Sequence, residues 1–187
     1  MIKVGVLGGR RIEVPEVEEF SLVLGRVIVS RGFILVTGGV SGVGELASRG
    51  AAEWLRKQGM SIDDFIISLL PFGIPPIHPY GRVIHRGRDW RERRRELARF
   101  ADYFIAVSGG EGTLDEMEQV IRLGKPLLPI GRGEGTALPI WKKLMREERD
   151  EAKRRMLERV GPDADFDGMA EEIGDYLVSL REKEIGQ

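Results

Sequence analysis

Residues 103–116 read YFIAVSGGEGTLDE. Five apolar residues stop abruptly at Ser108, three glycines follow within four positions, and a helical pattern begins at Thr113. An apolar run this short, bounded by glycine, reads as a fully buried strand, and buried strands belong to parallel sheets. Glycine at the exit allows positive φ and close approach of backbone to a ligand.

The same grammar recurs along the chain. Apolar runs at 2–8, 33–37, 64–71, 102–108 and 126–130 read as strands. Helical spacing predicts helices over 15–32, 42–59, 89–101, 113–124, 137–160 and 165–184. Pro15 suits a first helical turn, and Gly32 suits a helix end. The segment 72–87, rich in proline and glycine, predicts a loop. Alternation of strand and helix predicts an α/β fold: a doubly wound, open parallel, Rossmann-like sheet with helices on both faces. Nothing marks a linker, so one domain is expected over 1–187, with charged C-terminal helices from about 137.

Three strand exits carry glycine: GVLGGRR, VTGGVSGVGE and VSGGEGTLDE. In open α/β sheets ligands bind at such carboxyl ends, where the strand order reverses. Backbone N–H groups at a helix start attract phosphate. Gly109, Gly110, Gly112 and Thr113 therefore form a candidate phosphate cradle, with Gly38, Gly39 and Gly42 as a second nucleotide-binding corner. The competing reading is that such glycines only allow tight turns. The pattern matches neither GxxxxGK[ST] nor GxGxxG, so ATPase activity and ordinary NAD use are not supported. The tetrapeptide GEGT at 110–113 returns at 133–136 as local glycine-loop chemistry.

Thr113 and Glu116 share a helix face, so the Glu116 carboxylate hangs near whatever the cradle holds. Asp115 points elsewhere. Seven arginines between Arg82 and Arg95 offer cations, although most read as a solvated basic face. Arg93 lies on a different helix face from Arg91, Arg94 and Arg95. His78 and His85 read as exposed loop residues.

Composition excludes several classes. The formal charge of −1 argues against a general nucleic-acid binder. With no cysteine, thiolate metal sites and a cysteine nucleophile are excluded. Two histidines are too few for a His-rich metal site. No apolar run spans a bilayer, so no membrane partner is expected and the cytoplasm is the default location.

These motifs resemble the LOG ("Lonely guy") phosphoribohydrolases, once grouped as lysine decarboxylases, within the SLOG superfamily. The signature PGGxGTxxE stands here as Ser108 to Glu116, and GGGPGxMEAANRGA as GGVSGVGELASRGA over 38–51. Residues 90–102, WRERRRELARFAD, are similar to the family's MHERKAEMARQAD. The resemblance implies hydrolysis of the N-glycosidic bond of a nucleoside 5′-monophosphate, giving free base and ribose 5-phosphate. It implies Arg93 and Glu116 as catalytic residues, no metal, no cofactor, and a homodimer. The same fold serves molybdenum-cofactor carriers and nucleotide-signal sensors, so a non-catalytic nucleotide-binding protein is the alternative. Lysine decarboxylation is disfavoured, since no lysine for pyridoxal phosphate lies at the glycine corners. The chain departs from the signatures at Ser108 (proline), Arg91 (histidine), Val40 (glycine) and Gly44 (methionine).

Overall fold

The computed structural model describes residues 1–186. The chain runs β1 (Lys3–Gly8), α1 (Pro15–Ser30), β2 (Ile34–Thr37), α2 (Val43–Lys57), a short α3 (Ile62–Phe65) and β3 (Ile66–Leu70). There follow β4 (Arg82–His85), α4 (Trp90–Phe100), β5 (Tyr103–Val107), α5 (Glu111–Arg122) and β6 (Leu127–Ile130). Three helices close it: α6 (Ala137–Glu147), α7 (Glu151–Arg159) and α8 (Met169–Ile185).

All pairings are parallel, in the order β4-β3-β2-β1-β5-β6. The chain winds outward from β1 to β4, then returns to place β5 on the other side of β1. The order therefore reverses between β1 and β5, which opens a crevice above their carboxyl ends.

Strand alternation sorts the core into two layers. Val4, Val6, Leu35, Tyr103, Ile105 and Val107 face α1, α2 and α8. Leu7, Ile34, Val36, Ile67, Phe104 and Ala106 face α4 and α5. Apart from β4, the strands are covered on both sides, which explains their nearly unbroken apolar sequences. Helices α1 and α2 touch backbone to backbone. A Cβ on Gly25 would overlap the Ala47 carbonyl, and one on Gly50 would overlap that of Leu22. Helix α8 leans on α1 with Gly174 against the Val27 side chain, and Arg26 and Arg31 reach Glu171 and Asp175. Among the described residues no helix is long and apolar enough to cross a membrane.

Three expectations need correction. The segment expected as loop contains β4, an edge strand whose Val83 and Ile84 are only half-buried. Four residues flanked by charge carry too little periodicity to be read. The helix expected over 137–160 is two helices. Glu148 Oε1 accepts from the amides of Arg149 and Asp150, and the Asp150 carboxylate caps α7 through Lys153 N at 2.8 Å. The last helix starts at Met169, after Gly168 at φ 68°.

Gly25→Ala should force α1 and α2 apart. The expected cost is about 1–3 kcal/mol, seen as a Tm drop of about 2–4 °C per kcal/mol for a domain of this size. Thermal unfolding followed by circular dichroism measures it.

Candidate functional site

The β1–β5 crevice holds a cavity of about 670 Å³. The β5 corner contributes Ser108, Gly109, Gly110, Gly112, Thr113 and Glu116. Ser108 is the one non-glycine residue with positive φ among the described residues, at 55°, and Gly109 follows at 99°. Two successive left-handed residues turn the chain sharply from strand into helix. A proline, locked near −65°, cannot adopt the Ser108 conformation. The departure from the resembled signature is thus built into this corner's backbone.

Helix α5 begins at this corner without a side-chain cap, from Gly110. A helix start leaves its first amides without helical partners. The carbonyls of this turn point the other way, into the β6–α6 loop. Gly109 O accepts from Thr136 N at 2.9 Å, Ser108 O from Ala137 N at 3.1 Å, and Gly110 O from Thr136 Oγ1 at 3.1 Å. A Cβ on Gly135 would overlap Gly109 O. The second GEGT, which the sequence offered only as local loop chemistry, is therefore the buttress of the first. With the carbonyls engaged behind, the amides of 110–113 are left for an anion in front, and nothing lies within 4 Å of the Cβ position at Gly110.

Thr113 is buried, and its hydroxyl donates to Gly8 O at 3.1 Å. Its proton is spent tying the β1 corner to the β5 corner. Gly38, Gly39 and Gly42, expected as a nucleotide-binding corner, do not line the cavity; Val40 between them does. Gly38 lies behind Arg93, where a Cβ would come within 2.9 Å of Nη1. Gly39 packs on Leu70, and Gly42, at φ 89°, packs on Gly9 O. These three glycines shape the wall from behind. Gly44 sits over Thr37, with a Cβ position only 3.3 Å from its Cβ.

Below the cradle, Arg93 Nη1 donates to Glu116 Oε1 at 2.6 Å. Helix α4 supplies the first residue and α5 the second. Both side chains are buried, at 4% and 10% exposure, so this arginine does not belong to the solvated face. Its guanidinium also lies 5.2 Å from the Trp90 ring centre, and its Nε is buried without a hydrogen-bond partner. Burial works against both charges. It pushes the Glu116 carboxyl above the ordinary carboxylate range, against the pull of the Arg93 cation. It draws Arg93 below its usual value, though arginine keeps its proton in proteins. Beside the pair, Arg94 reaches Asp115 at 3.3 Å and covers Gly112. Asp115 thus faces a cation of α4 and not the cavity.

The sequence did not single out Arg10 and Arg11, which follow the β1 glycines, or Trp90 and Glu134, although all four line the cavity. The signal for the first two was the GGRR exit itself, where two cations follow directly on a strand corner. The histidines stand apart from this site. His85 Nδ1 lies 2.9 Å from Pro71 O. His78, expected to be exposed, is buried against Tyr80, with both ring nitrogens unpartnered.

Arg93→Met should leave the Glu116 carboxylate buried and alone, at a cost of about 3–5 kcal/mol at neutral pH. Without its cation the folded-state carboxyl sits still higher, so the folded protein holds the proton more tightly than the unfolded chain. Stability of this kind is present at low pH and lost as pH rises through the folded value. Urea unfolding should therefore show the gap between wild type and variant widening as pH rises above the already raised wild-type value.

The chain is similar to several known proteins. The rice protein "probable cytokinin riboside 5′-monophosphate phosphoribohydrolase LOG4" is 32% identical over 130 residues, covering 66% of this chain and 54% of that one. Rice "cytokinin riboside 5′-monophosphate phosphoribohydrolase LOG" is 35% identical over 121 residues, covering 61% and 47%. The chain thus spans about half the length of the curated relatives it matches. The solved structure of TM1055 superposes with TM-score 0.71 at 25% identity, covering 98% of this chain and 99% of that one. The molybdenum cofactor carrier protein of Chlamydomonas reinhardtii superposes with TM-score 0.65 at 24% identity, covering 95% and 99%, and shares the fold. The SLOG cluster4 family model matches residues 1–163. With that match over most of its length, the chain belongs to the SLOG cluster4 family.

Proposed function

We propose that this protein is a phosphoribohydrolase that cleaves the N-glycosidic bond of a nucleoside 5′-monophosphate. The observation that carries the reading is the buried Arg93–Glu116 pair directly below an uncapped, glycine-built helix start. The 5′-phosphate binds the amides of Gly110, Glu111, Gly112 and Thr113, which fixes the ribose over Glu116. Cleavage breaks the bond from C1′ to the base nitrogen. The electron pair leaves with the base, and C1′ takes on oxocarbenium character. The Glu116 carboxylate stabilises that positive charge and positions the water whose oxygen bonds to C1′. The proton released by water ends on the departing base. Arg93 touches the carboxylate, and its charge opposes the upward pull of burial on the Glu116 carboxyl. Similarity to the two rice phosphoribohydrolases supports the activity.

A second reading, a nucleotide-ligand carrier or sensor without catalysis, is favoured by one observation. The structural neighbours that include the molybdenum cofactor carrier match nearly the whole chain, whereas the match to the hydrolases covers about two thirds of it. The enzyme is further proposed to act in the cytoplasm as a homodimer. The apolar side of α4 does not supply the dimer contact, since Leu97 and Ala98 are spent on the sheet. Phe72 and Ile77, both exposed beside edge strand β4, remain as apolar surface for it.

Incubation with AMP should release adenine and ribose 5-phosphate, detected by chromatography. Glu116→Gln should lower kcat by roughly 10²–10⁴-fold while AMP still binds. Saturable AMP binding with no adenine from wild type selects the carrier reading. Because the carboxylate is the working form and burial raises its pKa, the acid limb of kcat/KM should lie above the ordinary glutamate range. Activity should be lost as pH falls through it. Sedimentation velocity should show a dimer, and a monomer at working concentration would remove that part of the proposal.

A further inference from the structure

The cavity carries more positive charge than one phosphate requires. Arg93 is matched by Glu116, and Arg94 by Asp115. Arg10 and Arg11 line the same cavity and form no ion pair among the described residues. An unpaired surface arginine usually samples many rotamers in water. Arg10 is instead held, with its guanidinium 5.2 Å from the centre of the Trp90 ring, an attraction that orients the cation before a ligand arrives.

The fold also sets Arg10 beside the cradle. Gly9 lies against the β5 corner, where a Cβ would stand 3.4 Å from Gly109 N. Its carbonyl accepts from Val43 N at 3.0 Å. The Thr113 hydroxyl holds Gly8. The β1 loop is thus bolted to the phosphate corner, and Arg10 is the next residue along. Two exposed carboxylates, Glu13 and Glu134, share the lining and reduce the net attraction for an anion. Among the groups on this rim, the exposed Arg10 guanidinium is the unpaired cation with an aromatic partner.

We infer that Arg10, with Arg11 beside it, is a specificity-determining residue that binds a second phosphate, so that the site prefers nucleotides carrying a diphosphate. The planar guanidinium donates to two phosphate oxygens side by side, which an amide cradle filled by the first phosphate cannot do for the second. This inference rests on the proposed nucleotide site and deepens it. It moves the preferred substrate from the monophosphate to the diphosphate and leaves the cleaved bond unchanged.

The test is calorimetric titration of the full-length chain with AMP and with ADP, in a Glu116→Gln background so that the ligand survives. ADP should bind about tenfold more tightly than AMP, the worth of one charge-assisted contact. Adding Arg10→Ala should abolish that preference and leave AMP affinity within about twofold, which also shows that the corner has kept its fold. AMP binding with no preference for ADP overturns this inference alone, as does an equal loss of both ligands in Arg10→Ala. Failure of both nucleotides to bind overturns the nucleotide site together with it.

Discussion

A carboxylate and a guanidinium meet inside this protein with almost no water around them, and much of the site is arranged to permit it. Desolvating two charges costs more than an exposed pair would return, so a buried pair is weak evidence for stability. Here the short contact between Arg93 and Glu116 spans two helices on the same face of the sheet. Trp90 lies over the guanidinium, and Gly38 leaves the volume that the guanidinium occupies. A cost of this kind is reasonable where chemistry uses the charge. A carboxylate poised above its ordinary range, facing a cavity, is placed to meet a developing positive charge.

Above that pair, the candidate anion site is made from backbone. Its donors become free because two corners interlock. The second GEGT loop takes the carbonyls of Ser108, Gly109 and Gly110 from behind. The β1 turn is held by Thr113 and by Val43 N. Glycine is needed where these loops cross, because Cβ atoms at Gly42, Gly109 and Gly135 would enter neighbouring residues. The turns that bring the strands' ends together are therefore the same ones that leave amides unpaired. Packing and binding share one cause here.

The chain is similar to hydrolases in sequence and to a cofactor carrier in fold, and its departures cluster where such proteins would differ in ligand. Ser108 adopts a backbone conformation closed to proline. Val40 presents a side chain to the cavity where the resembled motif has glycine, and two arginines lie 5.2 Å from the centre of the Trp90 ring. The pair of charged residues is kept, while the walls around it have changed.

Much of this was legible in the one-dimensional record. Apolar runs of five or so residues meant covered parallel strands, glycine after them meant corners, and the spacing of Thr113 and Glu116 put both on one turn of α5. Such features are local, set by periodicity and by the conformations that glycine alone tolerates. The partnership of Arg93 with Glu116 was available only through family likeness, because 23 residues and a strand separate them. What the sequence could not separate was one buried arginine from its solvated neighbours, or glycines that line a cavity from glycines that back it. Gly38 and Gly110 look alike on the page, yet one gives way to a guanidinium and the other faces open space. Nor could it distinguish strand β4 from loop, or show that the second GEGT braces the first. Those outcomes depend on which surfaces meet after the sheet has closed around β1, and contact between distant segments leaves no period in the chain.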